Sequence, residues 1–399
     1  MRKQIAAHRG DCFLVPGPVR MTEATLSAMA TPTITARGPE FRKVMAELNQ
    51  RLRIAFNLSP SSPESGTQSW SGEDGYGVIV VSGSGTAAME MVLANRFSSE
   101  DKILVPTNGK FGERVAQMGS RFADCTHLNG EWGRSFDLHE IDEHLASGEY
   151  SALLICHNET SSGITQDAPA LAALAEKYSV AFILDGITSV AGVPVYPAEW
   201  KVEAVVTGAQ KCTAGPSGIA AIAVSQSFID SCKELRQSGK GNPLYYFDLL
   251  PAVKKAEDDQ TPWTPAINLV LGWAAALVEL EKETLEGRVG RCAQLAQGVR
   301  NLFSDLGFTL FAEAGCYSGT VTAILYPEGF DDGWRTRLQN EYQTFVIGAQ
   351  DHMKGKMFRI GSMGNTSVAE MVEGCRRMLA CFADLGLDLG KVDVASYFE

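Results

Sequence analysis

Three short stretches of this sequence hold side chains that could do chemistry if the fold brought them together. Thr207-Gly208-Ala209-Gln210-Lys211-Cys212-Thr213-Ala214-Gly215-Pro216 puts a lysine just past an apolar run, among residues too small to wall off its amine. Most lysines are solvated surface groups, but small neighbours leave room for a ligand to reach this nitrogen. A desolvated lysine amine attacks carbonyl carbon. Phe182-Ile183-Leu184-Asp185-Gly186 ends a second apolar run on a carboxylate. Open α/β sheets bind ligands at such strand ends, though an aspartate there also reads as a helix cap. Ser82-Gly83-Ser84-Gly85-Thr86-Ala87-Ala88-Met89-Glu90 is a Gly/Ser turn leading into a helical pattern. A helix start offers backbone N–H groups to an anion, and Ser84 and Thr86 add hydroxyls; the same turn also serves as a plain strand-to-helix connection. It is neither a P-loop, lacking Gly-Lys-Ser/Thr, nor a dinucleotide fingerprint, lacking the third glycine.

Joined, the three make one device. The Lys211 amine would form an imine with an aldehyde cofactor. Asp185 would give a charge-assisted hydrogen bond to a pyridine nitrogen, keeping it protonated so that the ring draws electrons. The turn at Gly85 would hold a phosphate. This reading expects Asp185 to stay ionised at every working pH.

Such a device needs strand ends on one edge of a sheet, and the pattern supplies them. Apolar runs at 78–81, 102–105, 152–156, 181–184, 204–206 and 219–224 read as strands, and helices are expected at 86–95, 168–178 and 228–237. Strands alternating with helices predict a mostly parallel sheet covered on both faces. The pattern changes near Pro265. One long helix is expected at 267–286, closed by Gly287, and another at 289–306, with strands at 320–325 and 356–360 and a helix at 368–385. The fold class is therefore α/β, a large domain over 1–265 and a smaller α+β domain over 266–399. Residues 59–77, rich in Ser, Gly and Pro, read as a surface loop.

Composition narrows the partners. The net charge of −12 disfavours nucleic acid and anionic membrane, because phosphate contacts need clustered Lys and Arg. Nine cysteines without a Cys-x-x-Cys pair, several in apolar runs, fit reduced thiols in the cytoplasm better than a disulfide framework or metal site. The opening residues 1–9 have no apolar stretch of a secretory signal, and the apolar run at 267–278 falls short of the roughly 20 residues a membrane span needs. The histidines at 127, 139, 144 and 352 carry no ligand spacing.

The motifs are also ordered as in a known family. Leu14-Val15-Pro16-Gly17-Pro18, Gly83-Ser84-Gly85-Thr86-Ala87-Ala88-Met89, Asn108-Gly109-Lys110-Phe111-Gly112-Glu113-Arg114, His157-Asn158-Glu159-Thr160-Ser161-Ser162-Gly163, Thr207 through Pro216, Thr261-Pro262-Trp263-Thr264-Pro265 and Phe358-Arg359-Ile360-Gly361 span nearly the whole chain. The sequence resembles the class V, fold-type I aminotransferases that use pyridoxal 5′-phosphate (PLP), of the alanine–glyoxylate, serine–pyruvate and archaeal aspartate group. The resemblance implies that Ser84, Gly85 and Thr86 bind the phosphate and that Phe111 stacks on the pyridine ring. It further implies that Ser161 bonds the ring's phenolic oxygen and that Asp185, Ile187, Gln210 and Lys211 complete the cofactor set. Arg359 would clamp the substrate carboxylate near the Gly17 backbone. A homodimer would share its sites, the partner's Thr264 reaching the phosphate.

Plainer readings stay beside these: Phe111 as core, Ser161 and Thr264 as caps, Arg359 as a structural ion pair. Many relatives have Gly-His-Arg where this chain has Thr35-Ala36-Arg37, and a histidine where it has Ser362. These departures leave open the donor, the acceptor and a lyase, decarboxylase or desulfurase on the same scaffold. Desulfurases typically stack a histidine on the ring, and Phe111 stands in that place here.

Overall fold

The computed structural model describes residues 10–61 and 68–399, so the opening residues and part of the 59–77 loop lie outside it. The elements that build and flank the site are helix α1 (Pro39–Ala55), β1 (Tyr76–Ser82), α2 (Gly85–Arg96), β2 (Lys102–Thr107), α3 (Lys110–Gly119) and β3 (Asp124–Asn129). They continue with β4 (Ala152–Cys156), β5 (Ala181–Asp185), β6 (Ala204–Gly208) and β7 (Ile219–Ser225). Next come α4 (Ile267–Glu283), α5 (Leu285–Asp305), β8 (Val321–Leu325), β9 (Ile347–Gly348), β10 (Met357–Gly361) and α6 (Val368–Ala383).

Seven strands form one sheet in the order β1-β7-β6-β5-β4-β2-β3. Only β7 runs against its neighbours; the other pairings are parallel. The sequence explains this layer. β4, β5, β6 and β7 are unbroken Ala, Val, Ile, Leu and Phe but for terminal polar groups, and every residue is buried because helices cover both faces. The edge strand β3, Asp124-Cys125-Thr126-His127-Leu128-Asn129, is half polar and gave no apolar signal, so sequence reading passed over it.

A separate core sits under the C-terminal residues, where β8, β10 and β9 form an antiparallel sheet covered by α5 and α6. α4 packs on α1 within the large core, burying Trp273, Leu277 and Leu280 there. The helix predicted to run to Gly287 stops at Glu283, because Thr284 turns to φ +70 and its Oγ1 accepts the Gly287 N–H at 3.0 Å, capping α5.

The start of the chain belongs to neither half alone. Cys12–Phe13 pairs in parallel with Thr344–Phe345, and the Gly361 N–H donates to Leu14 O at 2.7 Å. Farther along, the Val19 N–H donates to Gln210 O at 3.0 Å. This strap ties the C-terminal core to the loop that carries Lys211.

Candidate active site

The carboxyl ends of β1, β4, β5 and β6, with the inner face of α3, enclose a cavity of about 230 Å³. Because neighbouring parallel strands all end on this edge, residues far apart in sequence converge there.

Lys211 lines the cavity from the loop after β6, and its Nζ donates to Pro16 O at 2.9 Å. Gly17 adopts φ +82, and a side chain there would collide with Lys211 Cδ and Nζ; only glycine lets the strap press on the lysine. Burial foremost pulls the Lys211 amine down to about 8, and the nearby Arg359 charge lowers it further against the pull of Asp185. An amine in that range has a usable neutral fraction near neutral pH, as a nucleophile requires.

Asp185 ends β5, and its Oδ1 accepts the Ile187 N–H at 3.0 Å. Burial pushes its carboxyl up to about 6, with Glu159 adding in the same direction and Ile187 N–H, Arg114 and Lys211 opposing. Permanent ionisation was the sequence expectation. The protein alone does not hold it, since desolvation outweighs the nearby cations.

Ser84, Gly85 and Thr86 enter the same cavity at the start of α2, where Ser84 forms no side-chain cap. A side chain on Gly85 would strike Ile187, so the helix start and the turn after Asp185 can meet only through glycine. Gln210 also lines the wall, and its buried amide oxygen has no hydrogen-bond partner. Such a group calls for a ligand. Phe111 and Ile187 supply apolar surface. A neutral phosphate cradle, apolar walls, a carboxylate and a reactive amine in one cavity suit a phosphorylated pyridine aldehyde.

Three expected residues stand elsewhere. Ser161 is fully buried and absent from the wall; its Oγ donates to Glu159 at 2.6 Å and accepts the Lys110 N–H at 2.8 Å. It caps α3, and its neighbour Thr160 lines the cavity instead. Arg359 lies behind Thr160, 3 % exposed, with Nη1 on Thr160 O and Nε and Nη2 on Gly348 O. These partners are carbonyls, so the ion-pair reading fails among the described residues. Burial lowers the guanidinium to about 10, which leaves it charged. Thr264 is exposed and borders a small second cavity with Tyr246 and Trp263.

Sequence reading missed Arg114, Asn158, Thr160 and Thr188, all on the wall. Arg114 had a signal: three residues past Phe111 on a helix, it shares that face, and its guanidinium sits 4.9 Å from the Phe111 ring centre.

A family model described as aminotransferase class-V matches residues 64–324. The chain belongs to the class-V aminotransferases. It is 32% identical over 94% of its length to an uncharacterized aminotransferase of Methanocaldococcus jannaschii, covering 94% of that protein. It is 31% identical to a serine–glyoxylate aminotransferase of Hyphomicrobium methylovorum, over 88% of this chain and 84% of that one. A solved aspartate aminotransferase of Thermus thermophilus superposes with TM-score 0.82 at 28% identity, covering 94% of this chain and 99% of that one. This aminotransferase is thus an enzyme of fold type I, and its family implies PLP. No helix among the described residues is long and apolar enough to cross a membrane.

Proposed function

We propose that this aminotransferase carries PLP on Lys211 and moves an amino group between a small 2-amino acid and a 2-oxo acid. The donor is of alanine, serine or aspartate type and the acceptor of pyruvate or glyoxylate type. One observation carries the reading: a lysine amine drawn down to about 8 shares a cavity with a buried carboxylate and an uncharged helix start. The serine–glyoxylate name of one relative and the aspartate name of another support the substrate class.

PLP, when bound, supplies an electron sink for charge released at the substrate α-carbon. The residues do the rest. Ser84, Gly85, Thr86 and Gln210 would hold the phosphate, and Phe111 and Ile187 would pack the ring. Asp185 would hold a proton on the pyridine nitrogen, and that positive neighbour would keep its carboxylate ionised below pH 6. Lys211, once its amine is free, would take the α-proton and return it. Pro16 O, already a hydrogen-bond acceptor for Nζ, would orient that amine. Arg359 would reach the substrate carboxylate with the guanidinium hydrogens its three carbonyl bonds leave over.

A homodimer completes the proposal. Tyr245 is 78% exposed and stacks on Trp263 at 4.6 Å, and Tyr246 flanks the same indole beside Thr264. An exposed aromatic stack of this kind suits a partner subunit, to whose phosphate Thr264 would reach. We place the enzyme in the cytoplasm, a reading supported by nine free cysteines, all buried except half-buried Cys125. We also place the domain division near Thr284, where the α4–α5 break falls.

Borohydride reduction of the PLP-loaded protein followed by peptide mapping tests the assignment, with a label on Lys211 expected. A label on any other lysine would sink it. A panel of amino acids, scored by conversion of the cofactor to its amine form, then names the donor.

A further inference from the structure

Glu159 is fully buried, yet it belongs neither to the cavity wall nor to any ion pair among the described residues. Its Oε2 accepts the Phe111 and Gly112 N–H groups, both at 2.8 Å. Its Oε1 accepts the Ser161 N–H at 3.0 Å and the Ser161 hydroxyl at 2.6 Å. Both oxygens are engaged and face only donors; burial pushes the Glu159 carboxyl upward, and the bonds from Ser161, Gly112 and Phe111 pull it back toward the ionised form. The placement is not casual. A side chain on Gly109 would strike Glu159 Cγ and Cδ and Ser161 Oγ, so the chain turns at glycine to let the carboxylate reach the first turn of α3.

We propose that Glu159 is a positioning residue of this site: its four-bonded carboxyl group grips the first turn of α3, so that Phe111 faces the cavity, and sets a titratable carboxylate behind the wall. The inference rests on the PLP reading above. The grip is direct, because Phe111 itself donates one of the four bonds. It also reaches Arg359, since the intervening Thr160 gives its carbonyl to the guanidinium at 2.8 Å. One buried group thus sets both the ring-facing phenyl and the carboxylate-facing arginine. Its charge is felt at Asp185, whose carboxyl it pushes upward, and at Arg359, whose positive form it favours.

The charged and titratable groups facing Asp185 are Glu159 and Cys156 after and on β4, Arg114 on α3 and Lys211 after β6. His157, whose N–H donates to Asp185 O, is held neutral, its ring pulled down to about 4 by burial. Glu159 is therefore the nearby carboxylate whose removal should move the Asp185 titration.

Two measurements on the full chain decide the matter. In PLP-free protein, hydrogen exchange at the Phe111 and Gly112 amides should quicken about tenfold or more in Glu159→Ala, and Glu159→Gln, which keeps an acceptor, should restore part of the protection. In PLP titrations, wild-type affinity should fall as pH drops through about 6, where Asp185 takes a proton. The inflection should move to lower pH in Glu159→Gln and stay in place in Ser161→Ala. Unchanged amide exchange in Glu159→Ala would overturn the grip. An unmoved inflection in a folded Glu159→Gln would overturn the charged role and leave a neutral cap. Should wild type bind no PLP, the functional reading fails by itself, and the exchange measurement still decides whether Glu159 holds Phe111.

Discussion

The two sides of the cavity are built on opposite terms. After β5 and β6, Asp185, Gln210 and Lys211 point functional atoms at the cavity with few protein partners: one N–H for the Asp185 carboxylate, one carbonyl for the lysine, none for the Gln210 oxygen. After β4 and on β10, Glu159, Ser161 and Arg359 direct most of their hydrogen bonds to the protein. Reactive groups are left under-bonded and supporting groups are mostly bonded within the protein. Changes on the first side should remove chemistry and spare the fold, whereas changes on the second should cost stability and geometry together.

The largest effect is expected at Lys211. Lys211→Ala should abolish covalent PLP attachment and turnover while thermal unfolding stays within a few degrees of wild type, read by absorbance and calorimetry. A large loss of stability would break the contrast. Asp185→Asn should keep PLP bound but slow each half-reaction by several orders of magnitude, each tenfold step being about 1.4 kcal/mol of barrier. Near-normal half-reactions would remove Asp185 from the pyridine nitrogen.

Arg359→Ala tests the other side. Loss of one partner of a desolvated charge pair costs about 2–5 kcal/mol, or roughly 30- to 5,000-fold in kcat/KM for amino acids. Stability should fall as well, because the Gly348 and Thr160 carbonyls lose their donor. An amine without a carboxylate separates the two effects: equal slowing there would make the arginine purely a support.

pH gives a milder probe. The rate of PLP attachment should rise with pH and level off above about 8, as the Lys211 amine loses its proton, while affinity falls below about 6 as Asp185 gains one. Stopped-flow absorbance follows the first, and a plateau reached two units higher would mean an amine unaffected by burial. Ser161→Ala should do least, losing about 1 kcal/mol of stability per bond and under tenfold in rate. A greater loss of rate would return Ser161 to the cofactor.

The sheet and the reactive side of the site could be read from sequence for one reason: both are written locally. β4 through β7 are continuous apolar runs, and Asp185 and Lys211 follow directly on two of them. The supporting side could not be read so, because its bonds cross the chain. Ser161 and Glu159 serve the start of α3 some fifty positions upstream, and Arg359 serves Thr160. Sequence placed Ser161 one residue off the wall for that reason, since alternation along the 159–161 turn gives no sign of which hydroxyl faces in. β3 was missed as a polar edge, and the apolar pattern of α4 does not say which core it fills.

The strap carries a consequence for biosynthesis. Its strand partner, Thr344–Phe345, and its clamp, Gly361, leave the ribosome more than three hundred residues after Cys12 does. At roughly 5–20 residues per second, the segment that orients Lys211 waits many seconds for its support. Until then the nascent chain can complete β1 through β7, but Pro16 has no fixed place from which to hold the amine. A chain halted between residues 283 and 344 would therefore hold a complete sheet with a loose lysine, and Lys211 gains its support only once Thr344 and Phe345 have emerged.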